Sequence, residues 1–187
     1  MKFLLASASP QRHKLLSEAG FEFEVDPADV PEVAEGLEPA HIAVVNAEAK
    51  ARAVADRNDV GAVVLGADTV VDLNGMPLGQ PENEEQARMF LAMLSDGVHE
   101  VHTAVCVVVG EVTRTGVSSS RVHFRELSDS DIDSYLSTGE WKGRAGGYAI
   151  QESGSSLVTG VDGDFNTVVG LPMDVVRQLL PDSVQPA

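Results

Sequence analysis

The stretch KFLLASASPQRHKLLSEAGFEFEV, residues 2–25, places a short apolar run, a capped helix and an alternating apolar segment one after another. Ser9 precedes Pro10, and Gly20 follows apolar residues at helical spacing. This pattern predicts a helix with Ser9 as its N-cap, Pro10 at the first position and Gly20 just past the end. The alternation in FEFEV, residues 21–25, predicts a half-buried strand. The chain therefore opens as strand, helix, strand, which is typical of α/β proteins.

The remaining sequence continues this alternation and then adds hairpins. Further strands are predicted at residues 62–73, 99–109, 117–124, 156–161 and 167–169, and further helices at residues 40–55, 84–94, 128–135 and 172–180. Asn74-Gly75 is a strong hairpin signal directly after the strand at 62–73. The combination favours an α/β fold with a mixed sheet and flanking helices over a purely parallel sheet. A length of 187 residues predicts a single domain, residues 1–187.

The composition excludes several classes of function. The chain has 13 Lys and Arg against 29 Asp and Glu, which gives a formal net charge of −16. A field of this sign disfavours nucleic acid and anionic membranes, so neither is expected as a partner. No stretch approaches the length of a membrane span, the first apolar run is too short for a signal peptide, and Cys106 is the single cysteine. We therefore expect a cytoplasmic protein without disulfides.

Three places in the sequence carry candidate chemistry. In SASPQR, residues 7–12, small hydroxyl residues lead into a helix N-terminus beside Arg12, a combination that suits phosphate. The alternative is that Ser9 only caps the helix and that Arg12 is solvated, and the sequence leaves both interpretations open. Asp68 interrupts an apolar strand, which is costly for a carboxylate unless it is paired or bound to a metal, although an Asx-turn role is the alternative. Lys50 lies among alanines on a helix, where either a cleft edge or plain solvent exposure accounts for it.

His99 and His102 are three residues apart, a spacing that occurs in zinc-binding sites. On a strand, residues three apart point to opposite faces, so both histidines are expected to be structural. Cysteine pairs, nucleophile elbows and Walker sequences are all missing from the sequence.

Several segments, taken together, resemble the Maf-like nucleoside triphosphate pyrophosphatases. They are SASPQR, Glu32 in DVPE, KARAVA, GADTVV, LGQP, HEVHTAV, GGYAIQ and VVGLP, and they cover nearly the whole chain in the order of that family. The resemblance implies a mixed α/β fold with two lobes around a deep cleft, related to the inosine triphosphate pyrophosphatases. It also implies metal-dependent cleavage of a nucleoside triphosphate, its partner molecule, between the α and β phosphates to give a monophosphate and pyrophosphate.

The resemblance further implies a substrate class. Specificity in the family tracks three positions, which here are Gln11, Thr69 and Gln151. The dTTP/UTP branch has Arg, Thr and Gln there, whereas the 7-methyl-GTP branch has an aromatic residue, Gln and Glu. This chain matches the dTTP/UTP branch at two of the three. It departs at Gln11 and again at Gln80, where the family normally has Lys in LGKP.

Roles for the remaining residues follow from combining the resemblance with the chemistry of the side chains. The phosphates are assigned to Ser7, Ser9, Arg12 and Lys50. A divalent cation, Mg or Mn, is assigned to Glu32 and Asp68, because both metals prefer hard oxygen ligands. Asp68 is also the candidate for orienting or deprotonating the attacking water.

Alternatives stay open at this point. One is a weakly active or inactive nucleotide-binding regulator linked to septum formation, since Gln11 and Gln80 both remove a cation. Others are an enzyme for a different nucleotide such as 7-methyl-GTP, and a plain α/β ligand-binding domain. We keep a homodimer as a candidate assembly.

Overall fold

The computed structural model describes residues 2–186 of the protein. Its strands are β1 (Phe3–Leu5), β2 (Glu24–Val25), β3 (Val63–Leu73), β4 (Met76–Leu78), β5 (Val98–Val109), β6 (Val112–Phe124) and β7 (Val158–Asp162). Its α-helices are α1 (Pro10–Glu18), α2 (Pro39–Ala55), α3 (Glu84–Leu94), α4 (Asp129–Ser137), α5 (Phe165–Val169) and α6 (Met173–Leu179). Short 3₁₀ turns cover Ala145–Gly147, Ser153–Leu157 and Asp182–Val184.

All seven strands belong to one mixed sheet with the order β2-β1-β3-β5-β6-β7, and β4 pairs with β3 outside this path. β1 runs parallel to β2 and to β3, and the other neighbours are antiparallel. The predicted α/β fold with a mixed sheet and flanking helices is therefore confirmed.

The sheet has a gap along one edge of β3. The ladder with β1 ends where Leu5 lies opposite Leu65, and the ladder with β4 begins only at Val71. On its other edge β3 pairs continuously with β5 from Val63 to Asp72. Residues 66–70 therefore have no strand neighbour on the gap side, and Asp68 and Thr69, from opposite faces of β3, both line cavities there.

Helices cover both faces of the sheet, and the long strands carry two separate regions of core. At one end, α2 packs on one face through a cluster that includes Ala47, Ala51 and Ala104, while α1 and α6 pack on the other. At the other end, α3 and α4 pack with the distal halves of β3, β5 and β6 around residues such as Leu91 and Tyr135. The gap in the sheet lies between these two regions, which correspond to the two expected lobes.

Local signals located most of the elements correctly. Ser9 caps α1 with Pro10 in its first turn, and Ser128 forms a capping box with Asp131 at the start of α4. The hairpin between β3 and β4 turns at Asn74, whose φ of 54° is the left-handed conformation that such turns require. Among residues 2–186, no helix combines the length and apolarity needed to cross a membrane.

One predicted strand is shorter than expected, and another is wrong. In residues 21–25 only Glu24–Val25 is a strand, because Phe21 instead closes the end of α1 and packs against the ring of Phe3 at a centroid distance of 6.0 Å. Residues 167–169 belong to α5, where Asp164 accepts a hydrogen bond from the backbone N of Asn166 as N-cap. The cap at Asp164 outweighs the β propensity of Val168 and Val169.

Candidate active site

The N-terminus of α1 forms one wall of the candidate site. The Ser9 side chain accepts a hydrogen bond from the backbone N of Arg12 at 3.4 Å, and Ser7 Oγ accepts one from the backbone N of Ser9 at 3.2 Å. Ser7 is buried, and its Oγ also accepts a hydrogen bond from Arg12 Nη1 at 3.2 Å. Both predicted serines therefore hold the loop that turns the free N–H groups of α1 toward the gap beside β3.

Arg12 joins three separate parts of the chain. Its Nε donates to the carbonyl oxygen of Gly170 at 2.8 Å, and its Nη2 donates to Thr69 Oγ1 at 3.1 Å. Burial lowers the pKa of Arg12, while the negative charges of Asp68 and Glu32 act in the opposite direction. The guanidinium stays charged, since arginine is not deprotonated in proteins. The interpretation of Arg12 as a solvated first-turn residue is wrong.

Lys50 lies between the two predicted carboxylates. Its Nζ is 2.6 Å from Glu32 Oε1 and 2.6 Å from Asp68 Oδ1. The exposed fractions of the Lys50 and Asp68 side chains are 12% and 8%, whereas that of Glu32 is 45%. The surface interpretation of Lys50 is therefore wrong, and the buried charge of Asp68 is compensated by a lysine.

Asn46 is a site residue that the sequence analysis missed. It is buried, it donates to Asp68 Oδ2 at 3.2 Å, and its amide exchanges hydrogen bonds of 2.8 and 2.9 Å with the backbone of Val33. Asn46 thus attaches the loop that carries Glu32 to α2. The available signal was its place one helical turn before Lys50 on an otherwise alanine-rich face.

Three adjoining cavities open at the gap beside β3. The first, of about 450 Å³, is lined by the α1 N-terminus together with Glu32, Lys50 and Gln80. The second, of about 100 Å³, continues from Lys50 and Gln80 toward Gln151. The third, of about 240 Å³, lies over Glu32 and Asp68. Gln80 lines all three, so one of the two positions at which the sequence departs from the family pattern is central to the site.

Every predicted site residue lines at least one of these cavities. They are Ser7, Ser9, Gln11, Arg12, Glu32, Lys50, Asp68, Thr69, Gln80 and Gln151. Gln11 accepts a hydrogen bond from Ser9 Oγ at 3.3 Å, and Thr69 Oγ1 lies 2.9 Å from Thr103 Oγ1. The residues assigned to phosphate line the largest of the three cavities, whereas Gln151 lines the smallest one.

The segment between α4 and β7, of which only Gln151 was assigned to the site from the sequence, supplies a further wall. Lys142 and Arg144 line the cavity of about 450 Å³, and Tyr148 lines that of about 100 Å³. The backbone N of Gly146 donates to the carbonyl oxygen of Gly79 at 3.0 Å, which fixes this segment beside Gln80. The sequence feature that could have pointed to this segment is the pair of basic residues Lys142 and Arg144 in a strongly acidic chain.

A second group of metal-ligating side chains lies elsewhere on the sheet. One ligand atom each from Asp72, Glu100 and His102 lies within 4.8 Å of the others. His102 Nε2 is 3.3 Å from Asp72 Oδ2, and its Nδ1 is 2.7 Å from Ser119 Oγ, whereas His99 contacts Tyr148. The two histidines thus have separate partners, as strand alternation predicts, and the group lies outside the three cavities.

Comparisons with known proteins assign the chain to a family. A "dTTP/UTP pyrophosphatase" of Pyrococcus furiosus is 42% identical over 180 residues, which are 96% of this chain and 94% of that protein. A protein of the same name from Moorella thermoacetica is 44% identical over 182 residues, 96% of this chain and 93% of that protein. A HAM1 protein from Coxiella burnetii superposes with a TM-score of 0.48 at 20% identity, over 66% of this chain and 73% of that chain. The Maf-like protein family matches residues 2–183, and the chain belongs to this family.

Proposed function

We propose that this protein is a nucleoside triphosphate pyrophosphatase that hydrolyses dTTP and UTP, or modified pyrimidine triphosphates, between the α and β phosphates. The observation that carries the proposal is that all ten residues singled out from the sequence line three adjoining cavities at one gap in the sheet. The names of relatives about 40% identical over nearly the whole chain support the same reaction and substrates.

The cavities suggest how the substrate lies. The triphosphate occupies the cavity of about 450 Å³, where Arg12, Lys50 and the N–H groups of α1 supply positive potential in an otherwise acidic chain. The base then extends into the cavity of about 100 Å³ toward Gln151, whose amide offers both a donor and an acceptor to a pyrimidine edge. Thr69 lines the cavity of about 100 Å³ and helps to select the base.

The carboxylates fit a divalent cation, Mg or Mn. Glu32 and Asp68 each place an oxygen 2.6 Å from the same Lys50 Nζ, so these hard ligands already converge on one positive charge. Bound there, the metal would offset the charge on the phosphoryl oxygens. Lys50 would swing from the carboxylates to the phosphates, which its flexible stem allows.

Asp68 is the candidate for activating water. One of its oxygens is fixed by Asn46 and the other faces Lys50, so the carboxylate is oriented before substrate arrives. It accepts a proton from a water whose oxygen bonds to a phosphorus of the α–β anhydride, and the bond to the bridging oxygen breaks. Pyrophosphate and the monophosphate leave, while Arg12 remains anchored by Gly170 and Thr69.

The experiment that tests this function measures pyrophosphate release from a panel of canonical and modified triphosphates, with Mg and with Mn. We expect dTTP or UTP to give the highest kcat/KM, and monophosphate and pyrophosphate to be the first products. A purine triphosphate preferred by about tenfold or more, which corresponds to 1.4 kcal/mol, would assign the chain to another branch. Diphosphate and orthophosphate as first products would exclude the reaction class.

A second candidate is a nucleotide-binding regulator with little turnover, which the neutral residues Gln11 and Gln80 in the phosphate cavity favour. The same assay separates the two, because a regulator would bind dTTP without releasing pyrophosphate under either metal.

We also propose that residues 1–187 work as one domain in the cytoplasm. The single sheet to which both lobes contribute supports the first part, and the free, buried Cys106, whose pKa burial raises to about 11, suits a reducing compartment. The candidate homodimer stays a prediction, which sedimentation of the purified protein tests.

A further inference from the structure

Arg144 lies against the phosphate cavity on the wall opposite α1. The 3₁₀ turn Ala145–Gly147 follows it directly, and the hydrogen bond from Gly146 to Gly79 holds this turn next to Gln80. Arg144 and Gln80 both line the cavities of about 450 and 100 Å³. A cation from one segment and a neutral amide from another therefore line the same two cavities.

The guanidinium of Arg144 has few partners within the described part of the chain. Its Nε is buried without a hydrogen-bond acceptor, and its Nη2 makes only an ion pair of 3.7 Å with Glu152 Oε1. A guanidinium carries five donors in a planar fork, and a buried donor without an acceptor is unfavourable. The arrangement has room for an incoming anion with several oxygens, and phosphate matches the fork.

The other two part-buried cations of the site are already engaged. Arg12 donates to Ser7, Thr69 and the carbonyl oxygen of Gly170. Lys50 contacts both carboxylates of the site. Arg144 thus offers donors that no contact within residues 2–186 uses, beside a glutamine that brings no charge.

We propose that Arg144 is a substrate-binding residue that contacts the phosphates and supplies, at this wall of the cleft, the positive charge that Gln80 does not. The proposal rests on the proposed function, because it requires an anionic substrate in the phosphate cavity. It adds a residue outside the set that the sequence pointed to, and it accounts for a neutral side chain at the centre of the site.

Binding of the non-hydrolysable α,β-methylene-dTTP and of pyrophosphate, measured by calorimetry on the full chain, tests the proposal. Arg144→Gln should raise the Kd of both ligands by about tenfold to a hundredfold, since a charge-assisted contact is lost. Arg121→Gln removes the same charge from an exposed position on β6 and should leave both Kd values within about twofold. An Arg144→Gln protein that is folded by circular dichroism and binds like the wild type would overturn the proposal.

Glu152→Gln distinguishes substrate binding from a structural role. If Arg144 only fixed its loop through Glu152, the two substitutions would weaken binding equally, and the proposal would be wrong. If Arg144 binds phosphate, Glu152→Gln frees the guanidinium, and both Kd values should stay unchanged or fall. Should Arg144→Gln not fold, Arg144→Met keeps the length of the side chain without its charge, and a Kd equal to that of the wild type would overturn the proposal.

A combined variant tests the link to Gln80. Gln80→Lys should improve binding by a larger factor in the Arg144→Gln background than in the wild type, because there this wall has lost the guanidinium and keeps only the exposed Lys142. If Gln80→Lys improved binding by the same factor in both backgrounds, Arg144 would not be compensating for the neutral side chain of Gln80. A wild-type protein that binds neither probe and releases pyrophosphate from no triphosphate would instead refute the proposed function, independently of Arg144.

Discussion

The ion pairs around Lys50 explain how a buried carboxylate is kept in the site without substrate. Asp68 is balanced by Lys50 and oriented by Asn46, and Lys50 in turn shares its charge with the more exposed Glu32. A buried charge whose partner is removed is strongly destabilising. When substrate and metal bind, we therefore expect Lys50 and the two carboxylates to exchange their ion-pair partners for phosphate and metal rather than to be left unpaired.

Replacing Asp68 with asparagine should therefore separate chemistry from folding. Asp68→Asn keeps the shape of the side chain, and Lys50 stays paired with Glu32, so the melting temperature should change little, while turnover falls by about two to four orders of magnitude. Asp72→Asn, four residues along the same strand, is the matched control. Asp72 belongs to the group with Glu100 and His102, so a loss of activity in this control instead would move the reaction to that group.

Gln80 provides the second prediction at this scale. A lysine contact to phosphate contributes about 1.5 to 3 kcal/mol, which a neutral amide replaces only in part. Gln80→Lys should raise kcat/KM for the preferred triphosphate up to about tenfold at low salt, and high salt should reduce the gain by screening. Steady-state kinetics at two salt concentrations measures both effects, and a folded variant without any gain would show that the wall already carries enough charge.

At the scale of elements, the close packing of α2 on β3 positions most of the site. Both Asn46 and Lys50 project from α2 toward Asp68 on β3, and Gly66 of β3 is the point of closest approach. A Cβ built on Gly66 would lie 2.5 Å from the backbone oxygen of Ala47 and 2.8 Å from the backbone N of Ala51. Backbone atoms cannot rotate away, so the spacing of the two elements depends on this glycine.

Gly66→Ala should accordingly affect stability and activity together. Overpacking costs about 1 to 3 kcal/mol, and here the upper end is expected because the helix itself must shift. The displaced Lys50 and Asn46 should also lower kcat/KM. Gly61→Ala, where nothing lies within 4 Å of the added Cβ, is the control and should be nearly neutral in both measurements. Urea unfolding gives the free energies, and equal midpoints for the two variants would contradict this account.

For the whole molecule, acid stability depends on a histidine in the distal core. His99 is buried against Phe124 and Tyr148, and burial, assisted by the charge of His123, lowers its pKa to about 4. The unfolded chain binds a proton at a pKa of about 6.5. Between these values the unfolded state carries more protons than the folded state, so the free energy of unfolding falls as the pH falls.

Comparing the wild type with His99→Gln isolates this effect. From pH 6.5 to pH 4 the wild type should lose about 3 kcal/mol more of its unfolding free energy than the variant. Protonation of carboxylates affects both proteins alike and cancels in the difference. Urea unfolding at several pH values measures it, and parallel pH profiles would show that His99 takes up no proton on unfolding in this range.

Much of this protein is determined by signals that act within a few residues. Ser9 and Pro10 start α1, Ser128 with Asp131 starts α4, and Asn74 turns the hairpin, because each of these contacts closes within one turn of chain. The resemblance of short segments also identified ten residues that the fold brings to one set of cavities. Where two local signals conflicted, as in residues 167–169, caps prevailed over β propensity.

Only the tertiary structure decided how these pieces meet. Contacts of the site join residues 18 apart between Lys50 and Asp68, 57 apart between Arg12 and Thr69, and 158 apart between Arg12 and Gly170. Periodicity and capping carry no information over such separations, since the contacts depend on where β1 ends and β4 begins along β3. The same reason hid Asn46 and Arg144, whose roles exist only once the loop of Glu32 and the segment beside Gln80 have packed around the gap.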